Sequence, residues 1–278
     1  MDPLPALAKV EQDEGVAVLL AIESGSRAWG FASPDSDWDV RFLYARPTLW
    51  HLGLHDRRDV IERSLPDDLD LSGWDMRKTL GLLLRGNCTI REWLASPIRY
   101  RSEPAFVDDL RRLADQVPGR RAALHHYRSL AEQVQARWLQ RSPVQLKKHL
   151  YAVRPALALR WLRVNGTGFP PMDVPTLRAG APLSNAERDA LDGLLCQKAL
   201  ASEIGSGDTL PALDDMIRTE VLMAEAAAVS DPRLSPDGAL VEEANRVLVR
   251  AAEFADQRVA TRNSRGKGSS TLPSGKAG

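Results

Sequence analysis

The sequence predicts an α+β fold: a small mixed β-sheet domain with its own helices (residues 1–103), an all-helical domain (104–259) and a disordered tail (260–278). Three observations predict it. Val16–Glu23 is a continuous apolar run of strand length, and Asp37–Tyr44, DWDVRFLY, is a second apolar segment with two acids set into it in alternation. Asp59–Leu65 and Leu69–Gly73 flank Pro66-Asp67-Asp68 and read as a hairpin. Beyond Pro104 the long segments instead repeat their apolar residues at helical spacing.

The elements follow in order. Pro3–Glu14 has helical apolar spacing and is expected to form a short helix before a buried first strand, Val16–Glu23. Gly25 and Ser26 come at the junction of that strand with a helix, where backbone N–H groups and a hydroxyl suit a phosphate. Arg27 reads equally as a triphosphate contact and as the partner of a local acid, while Trp29 and Phe31 read as packing residues before base-stacking ones. Asp35 lies in a Ser-Pro-Asp-Ser turn, where aspartate bonds its own backbone, and is not counted as a ligand.

Asp37 and Asp39 are two apart, so on a strand they project from one face as adjacent like charges. Such a pair is costly unless a cation sits with it, and Mg²⁺, which takes oxygen ligands and keeps substrate phosphates, is the expected ion. Arg46–Asp56 is expected to be irregular; His51 and His55 have helical spacing, but Gly53 between them and the lack of a third ligand favour a surface loop over a metal pair.

Met76–Arg85 follows the hairpin with good helix formers, and Asp75 before it is explained by capping and the helix dipole. Lys78, one turn in, is within reach of a phosphate there. A second helix, Thr89–Ala95, stops at Ser96-Pro97. Six helical segments are then expected: 106–116, 120–140, 143–165, 185–203, 210–229 and 237–256, with a proline-marked break at 170–175. In the third, Lys147, Tyr151 and Arg154 share a face with Lys148 beside it, a set suited to holding phosphates and stacking a base, or simply to snorkelling along neighbouring helices. Residues from Ala260 onward lack the apolar content to pack.

Composition narrows the class. With 44% apolar and 27% charged residues the chain is an ordinary globular protein, and no run of membrane-spanning length occurs. The N-terminus carries acids and prolines where a signal peptide needs basic then apolar residues, so a cytoplasmic protein is expected. Two cysteines, Cys88 and Cys196, are too few for a disulfide scaffold or a cysteine-rich zinc site. Net charge is zero but uneven: Arg111–Arg163 holds 12 Lys and Arg against 2 acids, and Ser184–Asp256 holds 6 against 15. A basic segment beside a phosphate site suits a triphosphate or nucleic acid; equally, the acidic segment can pack against it and neutralise it.

The order Gly-Ser, a loop of about ten residues, then Asp-x-Asp among apolar residues resembles the signature of the DNA polymerase β nucleotidyltransferase superfamily. That family also uses a third carboxylate in an apolar-acid-apolar setting, which Leu69-Asp70-Leu71 supplies, with Asp68 and Asp75 as competitors. The longer stretches GSRAWGFASPDSDWDVRFLY, DLDLSGWDMRKTLGLLLRGNCTIREWLASPIRY and KKHLYAVRPALALRWL resemble the nucleotidyltransferases of the YcgL type, a group linked with RNA repair, over about Ala21–Leu162. The resemblance implies a catalytic domain at 1–103. It further implies two Mg²⁺ ions, replaceable by Mn²⁺, held by Asp37, Asp39 and Asp70, and an NTP held at Gly25 and Ser26. Its transfer of NMP to an acceptor hydroxyl, foremost an RNA end, is the expected activity. A protein or small-molecule acceptor, or a non-catalytic NTP-binding or antitoxin-like role, are the alternatives; retention of the three carboxylates and Ser26 argues against the last.

Overall fold

The computed structural model of the chain describes residues 1–139, 143–200, 205–230 and 237–268. Helix α1 (Leu4–Glu14) leads into β1 (Ala17–Glu23), and the five-residue α2 (Gly25–Trp29) connects to β2 (Trp38–Ala45). After α3 (Thr48–His51) come β3 (Val60–Leu65), β4 (Leu69–Asp75), α4 (Met76–Leu84), α5 (Cys88–Ala95) and β5 (Arg99–Ser102). The order across the sheet is β3-β4-β2-β1-β5. Three pairs are antiparallel, and β2 and β4 are parallel with Asp39 opposite Asp70. The hairpin turn places Asp67 and Asp68 at positive φ, a region aspartate tolerates.

Each face of the sheet has its own cover. Val18, Val40, Phe42, Tyr44 and Leu71 pack with Leu7 and Val10 of α1. Gly73 is a glycine of necessity on that face, because a Cβ there would lie 2.1 Å from the Phe42 ring. On the opposite face Leu19 and Leu43 pack with Met76 and Leu83 of α4 and with Trp93 of α5. They also meet α6 (Pro104–Gln116), through Phe106 and Leu110, and α12 (Gly238–Gly268), through Leu240 and Val247. The boundary expected after residue 103 therefore does not separate two cores, since α6 and the last helix bury their apolar stripes on the sheet.

The remaining helices form a second core: α7 (Arg120–Val134, running into a π-helical turn at Gln135–Leu139), α8 (Leu146–Asn165), α9 (Val174–Gly180), α10 (Asn185–Leu200) and α11 (Pro211–Ser230). A two-residue bridge, β6 (Val144–Gln145) with β7 (Ser206–Gly207), ties α8 to the loop before α11. Where the sequence suggested a break, α9 starts at a capping Asp173.

Two expectations are corrected here. The last helix does not end near residue 256 but continues to Gly268, because Arg262 donates to the carbonyls of Glu11 (2.6 Å) and Val16 (3.3 Å) and anchors it to α1. Within the segment expected to be irregular, Thr48 opens a helical turn bonded to Asp256. Residues 269–278 of the expected tail lie outside the described residues. Among the described residues no helix is long and apolar enough to cross a membrane.

Candidate active site

The carboxylates meet where β2 and β4 begin and β1 ends. Strand alternation sends Val40 and Leu71 into the core under α1, so Asp39 and Asp70 project together from the other face. The Arg41 guanidinium joins them, with Nη2 on Asp39 Oδ1 at 2.9 Å and Nη1 on Asp70 Oδ2 at 2.8 Å. Asp37 precedes the strand by one residue and is exposed. Burial holds the Asp39 carboxyl above its usual pKa; Arg41 offsets part of this, and the charges of Asp70 and Asp37 add to it. Asp75 stands at the far end of β4, about 16 Å along the strand from Asp70. It caps α4 through a 2.8 Å bond from the Arg77 N–H, and Asp68 is an exposed turn residue.

Gly25 closes over this pair. Its φ is +58°, and a Cβ would stand 2.0 Å from Asp39 Oδ2, so only glycine lets the chain pass so near the carboxylate. The Ser24 N–H bonds the Asp39 carbonyl at 2.8 Å, pinning the start of α2 to β2, and Ser26 follows, half-buried, in the first turn. Glu23 is fully buried behind Asp39: its Oε1 accepts the Asp39 N–H (2.8 Å) and its Oε2 the Tyr100 hydroxyl (2.5 Å). Burial raises the Glu23 pKa, against the two hydrogen bonds, which favour the anion.

Three residues expected at the phosphates have partners within the protein. Arg27 turns back onto its own loop, donating to the carbonyls of Ser36 (2.5 Å) and Asp37 (3.1 Å) and lying 3.8 Å over Trp38; it shapes the approach to Asp37. Lys78 is at the Asp75 end of the sheet, its Nζ 2.9 Å from Asp59. Arg154 is buried, bonding Glu92 Oε1 (2.6 Å) and the Met172 carbonyl (2.9 Å). Tyr151 of the same helix packs edge-on against Trp29, and Lys148 lies 5.3 Å over the Tyr151 ring; Lys147 is half-buried one turn before Tyr151. The basic segment is in part answered by the acidic one. Arg160 pairs with Glu187 and Glu220, Arg163 with Glu220, and Arg128 with Glu225.

Sequence reading missed Glu23 and Arg41. Both carried a signal: Glu23 is the one charge in an apolar strand, and Arg41 is two residues from Asp39, hence on its face.

Among the described residues no three His, Cys, Asp or Glu side chains form a ready-made metal cage. Arg41 supplies the positive charge between Asp39 and Asp70. The donor set nevertheless fits magnesium: it is all carboxylate oxygen, it keeps an excess of negative charge over Arg41, and Gly25 leaves the Asp39 oxygen uncovered by any side chain of its own.

Comparison with known proteins identifies the family. Residues 3–250 match the family described as the RNA repair pathway DNA polymerase beta family. The uncharacterized protein YcgL of Bacillus subtilis (strain 168) is 36% identical over 247 residues, covering 89% of this chain and 94% of that protein. A crystal structure of a nucleotidyltransferase-like protein from Exiguobacterium sibiricum 255-15 matches over 91% of both chains at 11% identity, with a TM-score of 0.30. By the match along most of its length and by its likeness to YcgL, this chain belongs to the RNA repair pathway DNA polymerase beta family.

Proposed function

We propose that the protein is a nucleotidyltransferase that moves NMP from an NTP to an acceptor hydroxyl at an RNA end. The observation that carries this reading is the in-register pair Asp39 and Asp70, bridged by Arg41 and approached by Gly25. Family membership supports the reaction class and the link with RNA repair.

In the proposed reaction the acceptor oxygen attacks the α-phosphorus. The new O–P bond forms as the bond between the α-phosphorus and its bridging oxygen breaks, and pyrophosphate leaves with that electron pair. Asp70, the more exposed of the pair at 46% against 30% for Asp39, takes the hydroxyl proton. The Gly25-Ser26 backbone and the Ser26 hydroxyl hold the terminal phosphates, and Arg27 keeps the 33–37 loop folded so that Asp37 faces them. Glu23 fixes the Asp39 backbone and through it the carboxylate. Asp37, Asp39 and Asp70 would hold magnesium, which when bound would neutralise phosphate charge and lower the pKa of the acceptor hydroxyl.

The acceptor assignment rests on the family, because much of the basic charge of α7 and α8 is paired with acids. Incubating the protein and Mg²⁺ with each α-labelled and γ-labelled NTP and with RNAs of different ends tests it. Label from the α position alone should enter an RNA end. Labelling of the protein itself or of a small alcohol instead would move the acceptor to another class, and no labelling would remove the activity.

A further inference from the structure

A cavity of about 380 Å³ opens directly behind the carboxylate pair, between the sheet and helices α5, α7 and α8. Arg41, which bonds Asp39 and Asp70, forms part of its wall. Much of the lining is aromatic. Trp74 and Trp93 stand 4.4 Å apart on one side, and Trp29 and Tyr151 meet edge-on at 5.7 Å on the other. Packing alone explains aromatic residues between the sheet and these helices, but it does not explain the acid among them.

That acid is Glu92, 8% exposed on α5. Its Oε1 receives both the Tyr127 hydroxyl (2.9 Å) and the Arg154 guanidinium (2.6 Å). Among the described residues no bond reaches Oε2, and this oxygen is not enclosed by protein either, which leaves it facing the cavity that Glu92 lines. A carboxylate oxygen of this kind is an acceptor in want of an N–H donor. Stacking walls, one in-plane acceptor and a volume at the small end of ligand sites together describe a planar heterocycle bearing an amino group.

We propose that this cavity is the nucleobase pocket of the site, selecting bases that carry an exocyclic amino group. Adenine, cytosine and guanine each offer Glu92 an N–H₂; uracil sets carbonyl oxygens on both sides of its single N–H and is repelled by the carboxylate. The position of Arg41 at the junction places the phosphates of the same nucleotide at Asp39 and Asp70. This assignment of the phosphates rests on the transfer reaction proposed above. The base belongs either to the incoming NTP or to the terminal nucleotide of the RNA.

Equilibrium binding without Mg²⁺, followed by tryptophan quenching and by calorimetry, tests the pocket apart from catalysis. The ligands are ATP, GTP, CTP, UTP, inorganic tripolyphosphate and short RNAs ending in A or U. The amino-bearing ligands should bind about tenfold or more tightly than their uracil counterparts and than tripolyphosphate. Tyr151→Leu and Trp74→Leu should lose that advantage while tripolyphosphate binding stays unchanged, and Glu92→Gln should erase the discrimination against uracil. Thermal melts confirm folding, and the two aromatic variants keep the test valid should Glu92→Gln fail to fold. A preference among NTPs assigns the pocket to the donor; a preference confined to the RNAs assigns it to the acceptor. Equal binding of all ligands, or aromatic variants that change nothing, overturns the pocket even in a protein that transfers NMP. The predicted pattern in a protein that transfers nothing keeps the pocket and removes the reaction.

Discussion

Gly25→Ala should separate folding from catalysis. The glycine has φ +58°, and an alanine held there costs about 1–2 kcal/mol in the left-handed region. The larger effect is local: the new Cβ would lie 2.0 Å from Asp39 Oδ2 and 2.9 Å from its Cγ, so the carboxylate must swing aside by about 1 Å or more to restore contact. A displacement of that size at a reacting centre costs about 10²-fold in rate. The strands beneath are unaffected, since Ala21, Ile22 and Val40 stay fully buried. The expected result is a melting temperature lowered by a few degrees, an unchanged circular dichroism spectrum, and kcat for labelled NMP transfer down by about two orders of magnitude. Wild-type kcat in a folded Gly25→Ala protein would refute the claim that Asp39 must sit where Gly25 lets it.

Asp75, Arg154 and Lys78 are each tied down by a partner within the protein. Asp75 is 1% exposed, and burial lifts its pKa from an ordinary 3.8 to about 6. Its folded form therefore holds a proton that the unfolded chain releases, so the stability present below pH 3.8 is lost as pH rises through about 6, by about 3 kcal/mol at most. Asp75→Asn, which can still cap α4, should be the more stable protein at pH 7 and should flatten that slope in urea titrations; an unaltered slope counts against the reading. Arg154→Met strands the buried Glu92 and should cost about 3–5 kcal/mol in chemical denaturation, with part regained in the double variant with Glu92→Gln; a neutral single variant would show that the pair is not buried as described. Lys78→Ala should transfer NMP at the wild-type rate, because its Nζ is held by Asp59; a large loss would restore Lys78 to the phosphates.

What the sequence disclosed is what repeats at short range. The apolar run ending at Glu23, the alternation of Asp37 and Asp39, and the turn at Pro66-Asp67-Asp68 are local patterns, and β1, β2, β3 and β4 formed from them. Strand β5 escaped notice because Arg99-Tyr100-Arg101-Ser102 has no apolar face; it exists as an edge strand through its pairing with Leu20–Ile22, far away in the chain. The last helix similarly owes its extra turns to Arg262 docking on α1, a contact no window of sequence contains.

The same division holds at the site. Asp39 and Asp70 could be placed on one face because strand period fixes direction, and the parallel register then set them side by side. Arg27, Lys78 and Arg154 have long side chains whose partners, Ser36, Asp59 and Glu92, lie 9, 19 and 62 residues away. Composition gives such a cation a plausible destination in any nearby phosphate, but its real one depends on which acid or carbonyl the fold brings within 3 Å. The basic stretch 111–163 shows this on a larger scale: its charge was legible, its neutralisation by Glu187, Glu220 and Glu225 was not.

Asp39 and Asp70 are the proposed reacting centre of a nucleotidyltransferase. The most direct measurement is single-turnover transfer of α-labelled NTP to RNA with Mg²⁺, comparing wild type with Asp39→Asn and Asp70→Asn proteins of verified fold. Wild-type protein should transfer and each variant should lose at least about 10²-fold, with NTP binding in the absence of metal retained. Transfer at the wild-type rate in either variant would contradict that assignment.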